Sequence, residues 1–314
     1  MKYYITIDGG TTNTRVNLVA NRKVIDARKI ALGAKDCTDG SASLKSAISR
    51  ENDSICLQHC IIKSDIKAVI ASGMITSEYG LFPLKHLLAP AGISELHQGL
   101  AKAENMFGTL PCYFIPGVKR LTESPETTDM MRGEETEIAG LLADRDPEGA
   151  VFVLPGSHSK HIYLDKDGKI SNFKTMLTGE MISALASGTI LKGTVSLGFK
   201  GFDSAALISG YDAAESLGLN DALFKVRIMK NLFSQSDIEC YSFFIGAIME
   251  AEVRSLKASG AKKAIIGGKA SLREPLAYLL RNKTDLNVIA LTDNEAANAA
   301  AIGAVKIFEY GEEK

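Results

Sequence analysis

Two stretches decide the fold: Tyr3–Arg15, YYITIDGGTTNTR, and Val151–Lys160, VFVLPGSHSK. Each opens with a β-branched or aromatic run that reads as a strand. Each then breaks into glycine and hydroxyl residues, where a tight turn has to form. Strand patterning resumes on the far side as VNLVA (16–20) in the first case and HIYLD (161–165) in the second. A third strand follows in both, VIDARKI (24–30) and the residues after Lys166-Asp167-Gly168-Lys169. Laid together without a gap, Ile5 faces Val151, Gly10 faces Gly156, Thr11 faces Ser157, Asn13 faces Ser159, Val16 faces Ile162 and Leu18 faces Leu164. An internal repeat fixes architecture early. This one predicts an α/β chain of two related halves, residues 1–145 and 146–314, meeting at a hinge near 140–150. The alternative is that two antiparallel hairpins look alike by chance.

Outward from these stretches, AVIAS (68–72), CYFIP (112–116), KKAIIGG (262–268) and NVIAL (287–291) read as further strands. Helices are expected over 41–50, 94–105 and 134–144, through most of the chain after 175, and in the Ala-rich closing segment 295–308. Ser271 and Glu274 have the spacing of a capping box, with Pro275 inside the first turn of the same helix. The 181–240 region carries the least information and reads as helices decorating the second half, with room for a homodimer contact.

Composition fits an ordinary folded protein. The 314 residues are 46% hydrophobic and 23% charged, enough apolar content to exclude disorder. Lys+Arg is 36 against Asp+Glu 37, a balance that argues against coating nucleic acid or an anionic membrane. The five cysteines, Cys37, Cys56, Cys60, Cys112 and Cys240, form no Cys-x-x-Cys and fit free thiols of a reducing cytosol. Cys56, His59 and Cys60 make half a zinc site with no second pair of ligands. The N-terminus runs straight into the first strand without a leader, and no apolar run approaches the ~20 residues of a membrane span. A cytoplasmic protein is expected.

The first turn suits a nucleotide phosphate tail. Gly9 and Gly10 let the backbone come close, Thr11, Thr12 and Asn13 add donors, and successive N–H groups form an anion nest. Asp8 at the strand end is placed to hold Mg²⁺ through water, and Arg15 to face a transferred phosphoryl group. Such turns also occur in plain hairpins. The second turn offers Gly156, Ser157, Ser159 and Lys160 as a complementary grip, with His158 either a phosphate contact or a turn cap. Leu154 stands where the first half has Asp8, so only one half carries the metal-side carboxylate. In MRGEETEIAGLL (131–142) Glu134 falls in the first turn of a helix, where the dipole favours an ionised carboxylate. It is either a general base toward an attacking hydroxyl or a solvated acidic turn. Gly267-Gly268, followed by Ser271, gives either a flat seat for adenosine or a tight strand-to-helix turn.

In this order the pieces resemble the sugar-kinase branch of the actin/hexokinase/Hsp70 superfamily. The resemblance implies a two-domain actin-like, ribonuclease H-like fold with an ATP cleft between its halves. The nearer resemblance is to the 2-dehydro-3-deoxygalactonokinase family. It rests on MRGEET (131–136), PGSHSK (155–160), LTGE (177–180), ASGMITSEYG (71–80) and the Phe202…Gly210…Leu223-Phe224…Val226-Arg227 pattern. Two positions depart from that family: Gly9 replaces a common Trp, and His161 replaces an aromatic residue. The family implies ATP-dependent phosphorylation of the 6-hydroxyl of 2-dehydro-3-deoxy-D-galactonate, with Mg²⁺ as cofactor. It also makes Glu134 the base in preference to Asp8 or Glu135. The substrate is then a sugar acid whose carboxylate needs donors. Arg132, Lys119, Ser77 and Tyr79 are the candidates, Arg132 alternatively being a surface partner of Glu135. Glu135 is expected to face Arg132 or solvent. The rival readings are a kinase of another sugar acid, ketose or acyl acceptor, and a non-enzymatic actin-like filament or sugar-sensing regulator.

Overall fold

The computed structural model describes residues 2–36, 42–142 and 147–311. Cys37 and part of the expected hinge, residues 143–146, lie outside them. The chain divides into two compact units. The first holds residues 1–147, 164–173 and 297–314, and the second holds residues 148–163 and 174–296.

In the first unit, β1 (Tyr3–Gly9) pairs antiparallel with β2 (Thr14–Ala20), and β2 with β3 (Lys23–Ile30). Helix α1 (Ala42–Gln58) then leads to β4 (Ile66–Gly73), which lies parallel to β1 on its other side. The helix outruns the expected 41–50 because its apolar face continues through Ile55 and Cys56. A short β5 (Leu87–Leu88) precedes α2 (Ile93–Gln98). The helix expected over 94–105 is cut at Gly99, and β6 (Ala101–Ala103) instead pairs with β7 (Cys112–Phe114). The main sheet therefore runs β3-β2-β1-β4-β7-β6. A second, small sheet joins β5, β8 (Val118–Arg120) and β9 (Asp129–Met131). Helix α3 (Glu134–Leu141) follows directly. Ile5, Ile7, Val16, Leu18, Ile48 and Phe114 anchor the core under the main sheet.

The second unit repeats the plan with β10 (Ala150–Leu154), β11 (Ser159–Leu164) and β12 (Ile170–Met176). Helices α4 (Thr178–Gly188), α5 (Ser204–Leu217), α6 (Leu219–Leu232) and α7 (Asp237–Lys257) fill the stretch that the sequence left vague. Helix α7 starts on a true capping box, Ser236 with Glu239. After β13 (Lys263–Ile266) come α8 (Ala270–Lys283), β14 (Asn287–Ala290) and α9 (Asp293–Glu309). This sheet runs β12-β11-β10-β13-β14, the same order and sense as β3-β2-β1-β4-β7. The repeat is thus topological, but its turns differ by one residue. Asp8 pairs with Arg15 across residues 9–14, whereas Leu154 pairs with Lys160 across residues 155–159. Beyond the turn the gapless alignment slips, and His161, not Ile162, occupies the place of Val16.

The capping box expected at Ser271 and Glu274 does not form. Lys269 is the N-cap and Ser271 lies inside the first turn, exposed. The Glu274 carboxylate instead accepts from Arg273 Nε at 3.0 Å. Pro275 therefore sits two residues deeper than expected, in the second turn. Cys56, Cys60, Cys112 and Cys240 are free thiols. His59 Nε2 pairs with Asp26 at 3.1 Å, and among the described residues no cluster of three His, Cys, Asp or Glu side chains could hold a metal. No described helix is long and apolar enough to cross a membrane.

Candidate active site

The first unit gathers its chemistry at the carboxyl ends of β1 and β4, the edge where open α/β sheets bind ligands. Parallel pairing sets Asp8 beside Ser72 and Gly9 beside Gly73. Gly73 has φ +81°, and a Cβ there would come 2.5 Å from Gly9 O and 3.3 Å from Asp8 Oδ1. Gly133, φ +116°, seats its Cα face against Gly73 and turns the chain into α3. Two backbone positions closed to other residues therefore bring the start of α3 against Asp8. At the other end α3 packs on the Ala-rich α9, where side chains at Gly140 and Gly303 would overlap backbone oxygens of Ala299 and Thr136.

Three carboxyl groups on α3 diverge. One Glu134 oxygen accepts the Arg132 N–H at 3.0 Å, and the residue keeps partial solvent contact. Glu135 is 0% exposed and folds back so that both its oxygens accept from the Gly133 N–H, at 2.8 and 2.9 Å. It faces neither Arg132 nor solvent, contrary to expectation, because it caps the amino end of its own helix. Burial, then the charge of Glu134, pushes it up to about 8. Glu137, one turn beyond Glu134, is also pushed up to about 8 by burial and by the charges of Asp8 and Glu134. Asp8 keeps some solvent contact, yet burial raises its carboxyl above the usual range; Arg15 opposes this and Glu134 adds to it.

Around the first turn, Gly10 N–H donates to Asn13 O at 2.8 Å and Asn13 Nδ2 donates to Thr12 Oγ1 at 2.8 Å. Thr11, Thr12 and Arg15 are exposed. Ala34 and Lys35 brace the loop through the carbonyls of Gly10 and Thr11.

Arg132 is half-buried rather than a surface partner of Glu135. Its Nη1 donates to Thr76 Oγ1 at 2.7 Å and its Nη2 to Leu84 O at 2.9 Å. Ser77 spends its hydroxyl proton on Met74 O at 2.7 Å, and Tyr79 stands 73% exposed. Lys119 lies on β8, near enough to His86 to act on it electrostatically.

In the second unit Gly156, Ser157 and His158 form the outer part of the turn, and His158 Nε2 lies 3.0 Å from Glu180 Oε1. The start of α4 docks under it: Gly179 and Glu180 N–H donate to the carbonyls of Gly156 and Ser157 at 3.1 and 3.2 Å. That contact explains LTGE. Ser159 is not an outward donor. It is 0% exposed, and its hydroxyl donates to Glu252 Oε2 at 3.0 Å. His161 Nε2 meets the same oxygen at 3.0 Å, and Thr178 Oγ1 donates to Glu252 Oε1. Burial works against the Glu252 charge, but the hydrogen bonds and charge of His161, with those of Thr178 and Ser159, hold its carboxyl below the usual range. Lys160 is buried as well, its ammonium donating to His158 O at 3.4 Å. Gly267 N–H donates to Val153 O at 2.8 Å, and Gly268, with Pro155 against it, takes Arg273 Nη1 on its carbonyl.

The model of the 2-keto-3-deoxy-galactonokinase family matches residues 8–305. The chain belongs to that family. It is accordingly a sugar-acid kinase, a phosphotransferase of carbohydrate metabolism that uses ATP. It is 24% identical over 321 residues to a probable 2-dehydro-3-deoxygalactonokinase of Rhizobium meliloti, covering 97% of each chain. A crystal structure of a putative 2-dehydro-3-deoxygalactonokinase from Sinorhizobium meliloti superposes with TM-score 0.79 at 22% identity, over 98% of this chain and 96% of that one. The activator of 2-hydroxyisocaproyl-CoA dehydratase from Clostridium difficile, solved with bound ADPNP, gives TM-score 0.50 at 14% identity over 99% and 98%. The fold is the two-domain actin-like ATPase fold. In this 2-keto-3-deoxy-galactonokinase family member, sequence reasoning missed Glu137, His86 and Glu252. Only Glu137 carried a signal, since three residues from Glu134 on a helix is the same face.

Proposed function

We propose that this chain transfers the γ-phosphoryl group of ATP to the 6-hydroxyl of 2-dehydro-3-deoxy-D-galactonate, with Mg²⁺ as cofactor, in the cytoplasm. The observation that carries the reading is the meeting of Asp8, the Gly73 and Gly133 backbone and Glu134 at one strand edge. Phosphoryl transfer asks a protein for positioning and charge neutralisation more than for covalent chemistry. Glu134 takes the proton of the attacking hydroxyl. It is the group on α3 suited to this, because Glu135 is enclosed and both Glu135 and Glu137 hold their protons up to about pH 8. The exposed hydroxyls of Thr11 and Thr12, with Arg15, serve the phosphate chain. So do Gly156, Ser157 and the backbone of the second turn, and Gly267-Gly268 serves the adenosine. Ser159 and Lys160 act from beneath, holding that turn in shape.

The donor set fits Mg²⁺. One carboxylate at the strand end, in an acidic setting that favours a nearby cation, suits an ion that keeps most of its water and is bound jointly with phosphates. Bound there by Asp8, it would neutralise charge on the phosphates. The test is a coupled ADP-release assay over a panel of sugar acids that includes the galactonate and gluconate forms of the 2-keto-3-deoxy acid. The galactonate form should give the highest kcat/KM, and Asp8→Asn should cut turnover and blunt its Mg²⁺ dependence. No sugar-acid-dependent ADP release overturns the function. Wild-type turnover and Mg²⁺ response in Asp8→Asn remove Asp8 from it.

A further inference from the structure

The small sheet of the first unit lines up residues that lie far apart in sequence. Leu87 of β5 pairs with Val118 of β8, and Val118 with Met131 of β9. One residue back along the two parallel strands, and one on along the antiparallel strand, His86, Gly117 and Arg132 stand abreast. Side chains two apart on a strand share a face, so Lys119, flanked by Leu88 and Met130, adds to that face in the next row. Gly117 makes the row possible. A Cβ there would come 2.7 Å from His86 Cδ2 and 2.5 Å from Met131 O. The imidazole lies across that space, with both ring nitrogens 3.2 Å from Arg132 Nη2.

The guanidinium is therefore held by neutral partners alone: Thr76, the Leu84 carbonyl and His86. Among the described residues no carboxylate pairs with Arg132 or Lys119; Glu135 and Glu78 act on Arg132 only through their field. Burial, then the charges of Arg132 and Lys119, lowers His86 to about 4, so it is a neutral acceptor at working pH. Two cations without ionic partners, one half-buried and fixed in direction, make a face that selects an anion with planar geometry. Exposed Leu88 and Met130 border it with apolar surface.

We infer that this face seats the carboxylate of the sugar-acid substrate, with Arg132 and Lys119 as its ionic partners and His86 as the positioning residue that aims the guanidinium. The assignment rests on the proposed sugar-acid kinase reaction and deepens it, since it says what in the chain tells an acid from a neutral sugar.

The experiment compares His86→Leu, His86→Gln and Lys119→Met in steady-state assays with the sugar acid and with its uncharged amide. Circular dichroism and the KM for ATP serve as controls for folding. His86→Leu should raise the KM for the sugar acid about tenfold, the loss expected from misdirecting one charge-assisted hydrogen bond, and change kcat less. His86→Gln, which keeps an acceptor, should recover most of it. Lys119→Met should shrink the preference for the acid over the amide. A KM for the sugar acid unchanged in all three variants overturns the assignment, as does an equal loss toward acid and amide. Those results require a wild-type enzyme that phosphorylates the acid. A wild type that phosphorylates no sugar acid strikes at the proposed reaction instead.

Discussion

Glu252→Gln tests whether the second turn depends on the buried network beneath it. The carboxylate accepts from Ser159 at the turn, His161 on β11 and Thr178 at the start of α4, and its side chain is 1% exposed. An amide keeps the shape, and the Thr178 hydroxyl can rotate to accept from it. The change keeps an acceptor for Ser159 and His161, turns the Thr178 hydroxyl from donor to acceptor, and removes the carboxylate's charge from all three bonds. Each such bond loses about 1 kcal/mol, roughly 3 in all. Relief of the cost of burying a charge returns part of this, leaving a net loss of about 1–2 kcal/mol at neutral pH. The sign with pH is fixed by the direction of the shift. The folded carboxyl titrates below its ordinary value of 4.5, so its contribution is complete above that pH and is lost as pH falls through the lower folded value. The gap between wild type and variant should accordingly close in acid. Guanidinium unfolding followed by circular dichroism suits a chain with 9 Tyr and 0 Trp. At pH 7 the KM for ATP should rise several-fold while that for the sugar acid holds. A variant within about 0.5 kcal/mol of wild type with an unchanged KM for ATP refutes the reasoning, and so does a gap that widens in acid.

Two further outcomes follow from the first unit. Glu134→Gln should lower the single-turnover rate about 10²–10⁴-fold with ATP binding retained, whereas Glu135→Gln should chiefly lower thermal stability; the reverse ranking of rates would move the base to Glu135. Gly73→Ala forces both an unfavourable φ and a 2.5 Å approach to Gly9 O, so it should cost about 1–3 kcal/mol in unfolding experiments, and a neutral result would show that the strand edge can relax.

The two turns were legible because their signals are local: β-branched strands, then glycine and hydroxyls. The helices of the second unit were legible only as a class. What escaped were features made by partners far apart in the chain. Strands β5, β8 and β9 span two or three residues each, too short for any periodicity, and they exist because they pair with one another. His86 sits in a mostly apolar run, Leu84-Lys85-His86-Leu87-Leu88, and gains its proposed role only across Gly117. Glu252 is one carboxylate in a long helix, and its three partners lie 93, 91 and 74 residues away. The capping box at Ser271 failed for the opposite reason. Its local signal was present, but the chain enters α8 one residue before Ser271, and Arg273 claims Glu274.

The run Glu134, Glu135, Glu137 shows how one short helix separates three identical acids. Facing is set by the helical repeat: 134 and 137 share a side, and 135 is turned about 100° away. Gly133, with its positive φ, leaves its N–H aimed back along the chain, and Glu135 is the side chain that reaches it, which buries that carboxyl at the helix end. Glu137 lies one turn further along, where burial first and then the negative charges of Asp8 and Glu134 push its carboxyl up to about 8. Glu134 is left at the rim, steadied by the Arg132 N–H and still reached by solvent. Two acids pushed up to about 8 beside a third, proposed as the base and left at the rim, match the way acid–base sites divide roles by environment rather than by residue type. Arg132 links the two functions proposed for this segment: its backbone N–H donates to Glu134, the proposed base, and its guanidinium belongs to the face assigned to the substrate carboxylate. A substrate bound through that guanidinium is thereby registered against Glu134 by a neighbouring residue of the same chain segment, so recognition of the acid and placement of its hydroxyl are not independent.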